Sequence, residues 1–587
     1  MASGDLVTRR YSDFLGVDFS NNNVSAYRSP ESINIWKNYK ELGKCISSRP
    51  GLKELYKLDG KIYGMHFLKV ANIQHCIVHV DTKLIDINMR DNTKRTIKEI
   101  GMNPFKSQSF IFNSILYIKD GLKYYQYDGS NLKEVEGYIP ETSIARKPEG
   151  GGKPFLPINL LTPYRKNGFV SDGKSTDYYL DVPSFRPGSV SVVVNGSIVS
   201  NFTEHPQQGF ITFQKAPAAT YTDGEENVII TFAKDVEGHR NRIEKCNVLE
   251  VFDNHIFFAG NEDYPNTLFY SELNDPTYIP DNSALQEGMD GALIKALSAG
   301  GGKLWVFKEP TQSQQSIFYH VPSIMGANAL NTKTEADKGT EVDYTADVQY
   351  PSQHSNISLG CISTAVNFND DICFFSDYGL EGITSSTIND MEQITGHRSS
   401  LIDSKMLQEV NYKNPIIAEW QGYLLIFIDN HCYLADSRQQ WNNITHNEYE
   451  WYYWDFKEKI SYATVLNDKI YICFENGAIS TFSEESDEEF LSYWSTCKDF
   501  FENPVSQKVT NKKGSILNLD GEKVKIYARL DNKEWELINE YINVKGYIVP
   551  KIKKKKWKTI QFKFESDKTL NLYDFTVQCY VGGYVKR

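Results

Sequence analysis

Reaction chemistry needs a few side chains of the right type held at the right spacing, and several arrangements in this chain invite that test. His75 and His79 stand four residues apart. In a strand they share one face, as every i, i+2, i+4 set does, but a metal centre needs further ligands and no third one is in sight. Gly300-Gly301-Gly302-Lys303 has the outline of a phosphate loop. Leu304 then stands where Ser or Thr should hold magnesium, and Leu297 stands where the first glycine belongs, so the segment reads as a hairpin turn. Carboxylates cluster at Asp370/Asp371 and at Glu484, Glu485, Asp487, Glu488 and Glu489. Glycoside hydrolysis places two such groups several Å apart across a sugar, whereas the second cluster follows a strand and reads as a solvated loop. Neither a Gly-x-Ser-x-Gly elbow nor a His-Glu-x-x-His helix occurs. Nine scattered cysteines form no Cys-x-x-Cys pair, which argues against a disulfide framework or a zinc site. Those inside apolar runs, such as Cys373 and Cys473, behave as small buried groups. The expectation is a protein that is not an enzyme, with no catalytic residue, no cofactor and no metal.

Two further runs point to binding. Lys551-Ile552-Lys553-Lys554-Lys555-Lys556-Trp557-Lys558 can contact nucleic acid or an acidic partner, or it can be an edge strand that lysines protect from unwanted pairing; the second reading is preferred. Trp451-Tyr452-Tyr453-Trp454 can stack on sugars, or can pack a sheet as alternating strand residues; packing is again preferred. A formal net charge of −12 disfavours an overall nucleic-acid-binding role.

The elements that carry these residues repeat one phrase: a polar turn, four to six apolar or aromatic residues, a tight turn, and another aromatic run. Asn113-Ser114 followed by Ile115–Ile118, Asp120-Gly121 and Tyr124–Tyr127 is one copy, and Asn467-Asp468 through Phe482 is another. Asp-Gly and Asn-Gly between such runs are strong hairpin signals. Weaker copies begin near Asn72, Asn254, Gly302, Asp370 and Gly422, giving successive spacings of 41, 141, 48, 68, 52 and 46 residues. Most fit the roughly 40–50 residues of a four-stranded propeller blade. The expected fold is all-β: a β-propeller of six or seven blades with an inserted β-sandwich, an extended N-terminal arm and a C-terminal β-rich region.

The long gap contains a separate β-rich block, residues 158–234, set off by the Gly/Pro linker Arg146–Pro154 and carrying an Asn195-Gly196 hairpin. Insertion at an exposed loop tip is well tolerated. Residues 1–43 read as the arm, 44–157 and 235–490 as the propeller, and 491–587 as either a final sandwich or ring-closing strands. Within the arm Pro30 can open a short helix through Trp36, and Ser400–Glu409 is a second short helical candidate. Residues 44–57 are the expected donor of a terminal blade strand, and Pro322–Asn356 reads as an excursion loop. No apolar run approaches the ~20 residues of a membrane helix, and Met1–Asp5 lacks the features of a signal peptide. These point to a soluble protein made in the cytoplasm.

Particular phrases carry a resemblance. Phe14–Ser20, Arg28-Ser29-Pro30-Glu31-Ser32-Ile33-Asn34-Ile35-Trp36 and Arg49-Pro50-Gly51 resemble the opening of tailed-bacteriophage neck and tail structural proteins, in which an extended arm precedes a propeller. Asn159–Pro163, Val194-Asn195-Gly196, Gly209–Phe213 with Ala216-Pro217-Ala218, Asp253–Asn261 and Tyr270–Tyr278 are similar to the same group, so that the resemblance spans most of the first 330 residues. It implies a virion component made in the host bacterial cytoplasm, present in multiple copies as a tail hub, nozzle or head–tail stabiliser. Implied partners are other copies in a ring-like homo-oligomer, a portal, adaptor or other tail protein, and phage DNA in transit without sequence-specific binding; no membrane is implied. Val17, Phe19, Arg28, Ile33, Ile35 and Trp36 are the expected intersubunit contacts. The alternative is a virion-displayed receptor- or glycan-binding protein.

Overall fold

The computed structural model describes residues 5–20, 24–38, 45–220, 224–312, 315–325, 347–385, 393–436, 438, 449–511, 514–552 and 555–582. Seven four-stranded antiparallel sheets dominate it. Six are formed by consecutive segments starting at Ile62, Gln108, Val248, Ile294, Ala365 and Ile416, and the seventh by the three strands from Ile460 to Ser483 together with Gly51–Lys57. These are the blades of a β-propeller, numbered one to seven in that order.

Each blade opens with the same turn. At Ala71-Asn72, Asn113-Ser114, Asp253-Asn254, Gly301-Gly302, Asn369-Asp370, Gln421-Gly422 and Asn467-Asp468, both central residues have positive φ. Two successive left-handed residues define a type I′ turn, whose twist matches that of the strands it joins. Asn, Asp and Gly populate that region at least strain, and each of the seven pairs holds at least one of them.

In blade six the run Trp451–Trp454 lies buried throughout. Tyr452 and Trp454 join a cluster with Ile470, Ile472 and Phe474 of blade seven, while Trp451 and Tyr453 join one with Cys373 and Phe375 of blade five. Alternate residues of one strand therefore face opposite neighbours. A sheet covered on both sides reads as a continuous apolar run, and these rings pack blades.

The expected excursion at Pro322–Asn356 is partly a blade. Ser352–His354 is the fourth strand of blade four, pairing with Ile317–His320; its three residues are exposed, so no hydrophobic pattern marked it. Residues 326–346 lie outside the described residues.

The chain divides into two compact units, residues 1–65, 78–81 and 362–587, and residues 66–77 and 82–361. The second holds blades two to four and the insertion. There a six-stranded sheet and a three-stranded sheet share a core of Phe169, Tyr178, Val192, Ile211, Phe213, Ile230 and Phe232. The six-stranded sheet also takes in Glu141–Arg146 and Lys153–Pro154, upstream of the expected start at 158. The Gly-rich linker is thus the loop between two of its strands.

The first unit contains an eleven-stranded sheet that interleaves both ends of the chain. Asp5–Tyr11 pairs with Leu570–Val581 in a seven-residue antiparallel register. Ser32–Ile33 pairs with Ser492–Ser495, and Ile35–Lys37 joins Ile46–Ser48. The N-terminal arm is extended, but it lies along its own chain. The helix expected from Pro30 to Trp36 is replaced by these two short strands, because Asn34 adopts φ 56° between them and tertiary pairing outweighs the local preference. Asp403–Met406 is a short helix within the other candidate segment. No helix among the described residues is long and apolar enough to cross a membrane.

Candidate assembly surface

The six arm residues fall in different surroundings. Val17 is fully buried beside Phe375 and Trp451, and its N–H donates to the Trp451 carbonyl at 2.7 Å. Gly16 beside it has φ 79°, and a Cβ there would meet the Trp451 carbonyl oxygen at 2.2 Å, so only glycine fits. Ile35 is buried in the core of the eleven-stranded sheet. Trp36 is buried among Trp420, Tyr423 and Trp454, and Arg28 is buried as well. Val17 and Ile35 have no accessible surface, and Trp36 and Arg28 keep only 4% and 9%, so these four face their own chain far more than solvent. Ile33 and Phe19 are half-buried, and these two meet in a cleft.

That cleft, of about 340 Å³, is lined by Phe19, Glu31, Ile33, Lys405, Tyr453 and Tyr493 among others. The Lys405 ammonium lies 3.5 Å from the Tyr453 ring centroid and 5.1 Å from that of Phe19, in cation–π range. Burial lowers the Lys405 pKa, against the opposing pull of Glu409 and Asp455.

The residues singled out for chemistry are held in structural roles. Asp371 accepts two hydrogen bonds from Arg398, at 2.7 and 2.9 Å, and a third from the Tyr449 hydroxyl. Asp370 sits in the type I′ turn. Glu488 receives both terminal nitrogens of Arg49 at 3.0 Å and the Leu52 N–H at 2.7 Å, which ties the donated strand of blade seven to the segment after it. Glu484, Glu485, Asp487 and Glu489 are exposed. His75 contacts Asp86 at 2.8 Å and His79 the Asp81 carbonyl at 2.9 Å. Gly301-Gly302 turns a hairpin, and all nine cysteines are buried thiols outside any disulfide. In the basic run, Ile552 and Trp557 are buried, and Lys556–Trp557 pairs with Lys508–Thr510. Among the described residues Lys556–Trp557 has no other strand neighbour, so this part of the run lies at an edge of the sheet, in line with the preferred reading; Lys553 and Lys554 lie outside the described residues.

Sequence reasoning missed two sites. One is the buried Arg398 cluster, whose members are separated by 27 and 78 positions. The other is the outer strand of the C-terminal hairpin. Ile516–Leu530 and Glu536–Ile548 are joined by a turn with positive φ at Asp531 and Asn532. The first strand has neighbours on both sides; among the described residues the second pairs with the first alone.

The inner face of the hairpin buries Leu517, Leu519, Val524 and Ile526, with Ile538, Tyr541, Val544 and Ile548 packed against them. Leu537, Ile542 and Tyr547 stand opposite Tyr527, Lys523 and Asn518, positions that alternate with those buried ones and so face outward. They are 48%, 76% and 71% exposed. Their five-residue spacing hides them from any period-two test. A register shift between Ile526 and Tyr527, together with positive φ at Asn543, returns each to the same face.

The seven blades make the chain a β-propeller protein. Its sequence matches no family model and no curated protein. Among solved structures it is similar to BamB from Moraxella catarrhalis, with 9% identity over 75% of this chain and 100% of that one and a TM-score of 0.34. YCF48 bound to D1 peptide is similar at 6% identity over 74% of this chain and 94% of that one, TM-score 0.31. So is the β-propeller domain of Myceliophteria thermophila Cps50 (Swd1), at 9% over 73% and 99%, TM-score 0.28. At this level of likeness none of the three bears on what the chain does.

Proposed function

We propose that the protein is a non-catalytic structural subunit of a bacteriophage neck or tail, present in several copies around or on the head-proximal DNA exit channel. The observation that carries the assembly part of this reading is the outer strand Glu536–Ile548, a long edge that presents three large apolar side chains to solvent. Soluble proteins blunt such edges or use them. Asp371, Glu488, His75 and His79 are instead spent in ion pairs and hydrogen bonds within the fold. The virion part rests on the resemblance of the first 330 residues, and a net charge of −12 suits a wall past which DNA moves without being held. Mixing the full chain with purified portal assemblies and imaging them in negative stain tests it. Added density at one end of the portal is the expected result; failure to bind any portal, adaptor or tail component refutes the virion assignment.

A second reading has its own observation. The cleft of Phe19, Tyr453, Tyr493, Lys405 and Glu31 combines aromatic rings with charged groups, as carbohydrate sites do. If it binds host glycan, a monomeric protein should sediment with cell walls, and Tyr493→Ala should abolish this.

A further inference from the structure

The outer hairpin strand has a symmetry in its sequence that names its occupant. Ile542 lies midway between Leu537 and Tyr547, five residues from each, and all three face outward. We propose that this strand pairs antiparallel with the same strand of a second copy, about a two-fold axis through Ile542, joining two sheets into one.

In that register Leu537 of each copy stands opposite Tyr547 of the other, and Ile542 opposite Ile542. A two-fold axis perpendicular to the sheet keeps each residue on its own face, so all three apolar pairs form on the outward side. Directly opposed aromatic and aliphatic pairs of this kind are the unit of sheet stabilisation. Charge follows the same symmetry. Glu540 lies in the first half of the strand and Lys545 in the second, while Glu536 is held within the chain by Lys555 at 2.6 Å. Antiparallel pairing lays the acidic half of one copy along the basic half of the other, with Glu540 diagonal to Lys545. Parallel pairing would align like charges. An isologous contact of this form is self-complementary and closes on itself. It stands independently of the virion assignment, since copies can pair whether or not a portal binds them.

The axis supplies its own test, because only Ile542 faces itself. The full-length chain and its Ile542→Lys and Ile542→Glu variants are compared by analytical ultracentrifugation, with circular dichroism checking that each is folded. Wild type should dimerise or assemble in even multiples. Each variant alone should lose that step through like-charge repulsion, and an equimolar mixture of the two should restore it as a heterodimer. In parallel, Ile542→Cys should form a covalent dimer on oxidation, since opposed strand positions at about 4.5–5.5 Å between Cα atoms suit a disulfide. A wild type that stays monomeric overturns the proposal, as does association unchanged by either charge, or an Ile542→Cys chain that never cross-links to itself. The two readings fail separately: a dimeric wild type that binds no portal sinks only the virion assignment, and a monomeric wild type that binds portal sinks only the strand pairing.

Discussion

Trp36 decides whether the N-terminal arm belongs to its own chain or to a neighbour. Its ring stacks on Trp420 at 5.6 Å and 15°, lies 5.2 Å from Tyr423, and meets Trp454 edge-on at 5.7 Å and 78°. The backbone on either side is pinned, since Trp454 Nε1 donates to the Ile35 carbonyl at 3.3 Å and the Tyr423 hydroxyl donates to that of Lys37. Trp36→Ala therefore leaves a hole that its surroundings cannot collapse into. Removing a buried Trp costs about 3–5 kcal/mol, and three lost aromatic contacts, each worth about 0.5–1.5 kcal/mol beyond area, put this site at the upper end. That is a large share of a total stability on the order of 5–15 kcal/mol. Urea unfolding followed by circular dichroism, at a dilution where the protein is monomeric, reads it without relying on tryptophan emission. With a slope of about 3 kcal/mol per molar, the midpoint should fall by roughly 1.3–1.7 M. Phe19→Ala, at the half-buried rim, should move it much less. If Trp36→Ala unfolds at the wild-type midpoint yet fails to associate, Trp36 faces another subunit and the arm does not fold back on its own chain.

Two other sites give sharp outcomes. Arg398→Met leaves the Asp371 carboxylate buried without its guanidinium and should cost about 3–5 kcal/mol, whereas Asp371→Leu combined with Arg398→Met should cost less than either alone; urea midpoints of the three variants check this. His397 lies between Asp403 and Glu381, with Nδ1 2.7 Å from the latter, and their hydrogen bonds raise its pKa from 6.5 to about 10. A folded-state pKa above the unfolded one means that the stabilisation is complete below about pH 6.5 and disappears as pH rises through about 10. The fall in midpoint between pH 7 and 10 should therefore be steeper in wild type than in His397→Gln, and identical slopes would contradict the assignment.

Blade count and order were legible because a type I′ turn is a local demand: two successive residues must take positive φ, and an Asn, Asp or Gly stands in each of the seven blade turns. Asn72, Asn254, Gly302 and Asp370 mark blades whose strands are otherwise dissimilar. The Asn195-Gly196 hairpin marked the insertion for the same reason. Long-range pairing leaves no such trace. Nothing in Asp5–Tyr11 tells it to seek Leu570–Val581, and Arg49 finds Glu488 across 439 positions. Short extended pieces such as Ser32–Ile33 carry too few residues to show a period. Ser352–His354 has no apolar face to display. The outward row Leu537, Ile542, Tyr547 was hidden because one register shift and one left-handed residue break the alternation by which strand faces are read.

These long-range pairings also order the events of folding. Blade seven is incomplete until Ala478–Ser483 meets Gly51–Lys57, and the eleven-stranded sheet is incomplete until Leu570–Val581 receives Asp5–Tyr11. Contacts of such sequence separation form slowly, since loop-closure entropy must be met before the contact rewards it. The hairpin strand Ile516–Leu530 pairs directly with Leu570–Val581, and its inner face shares the core that holds Tyr11, Phe14 and Ile35. The outer strand Glu536–Ile548 takes its register from its local hairpin with Ile516–Leu530, while the core beneath that hairpin is completed by residues from both ends of the chain.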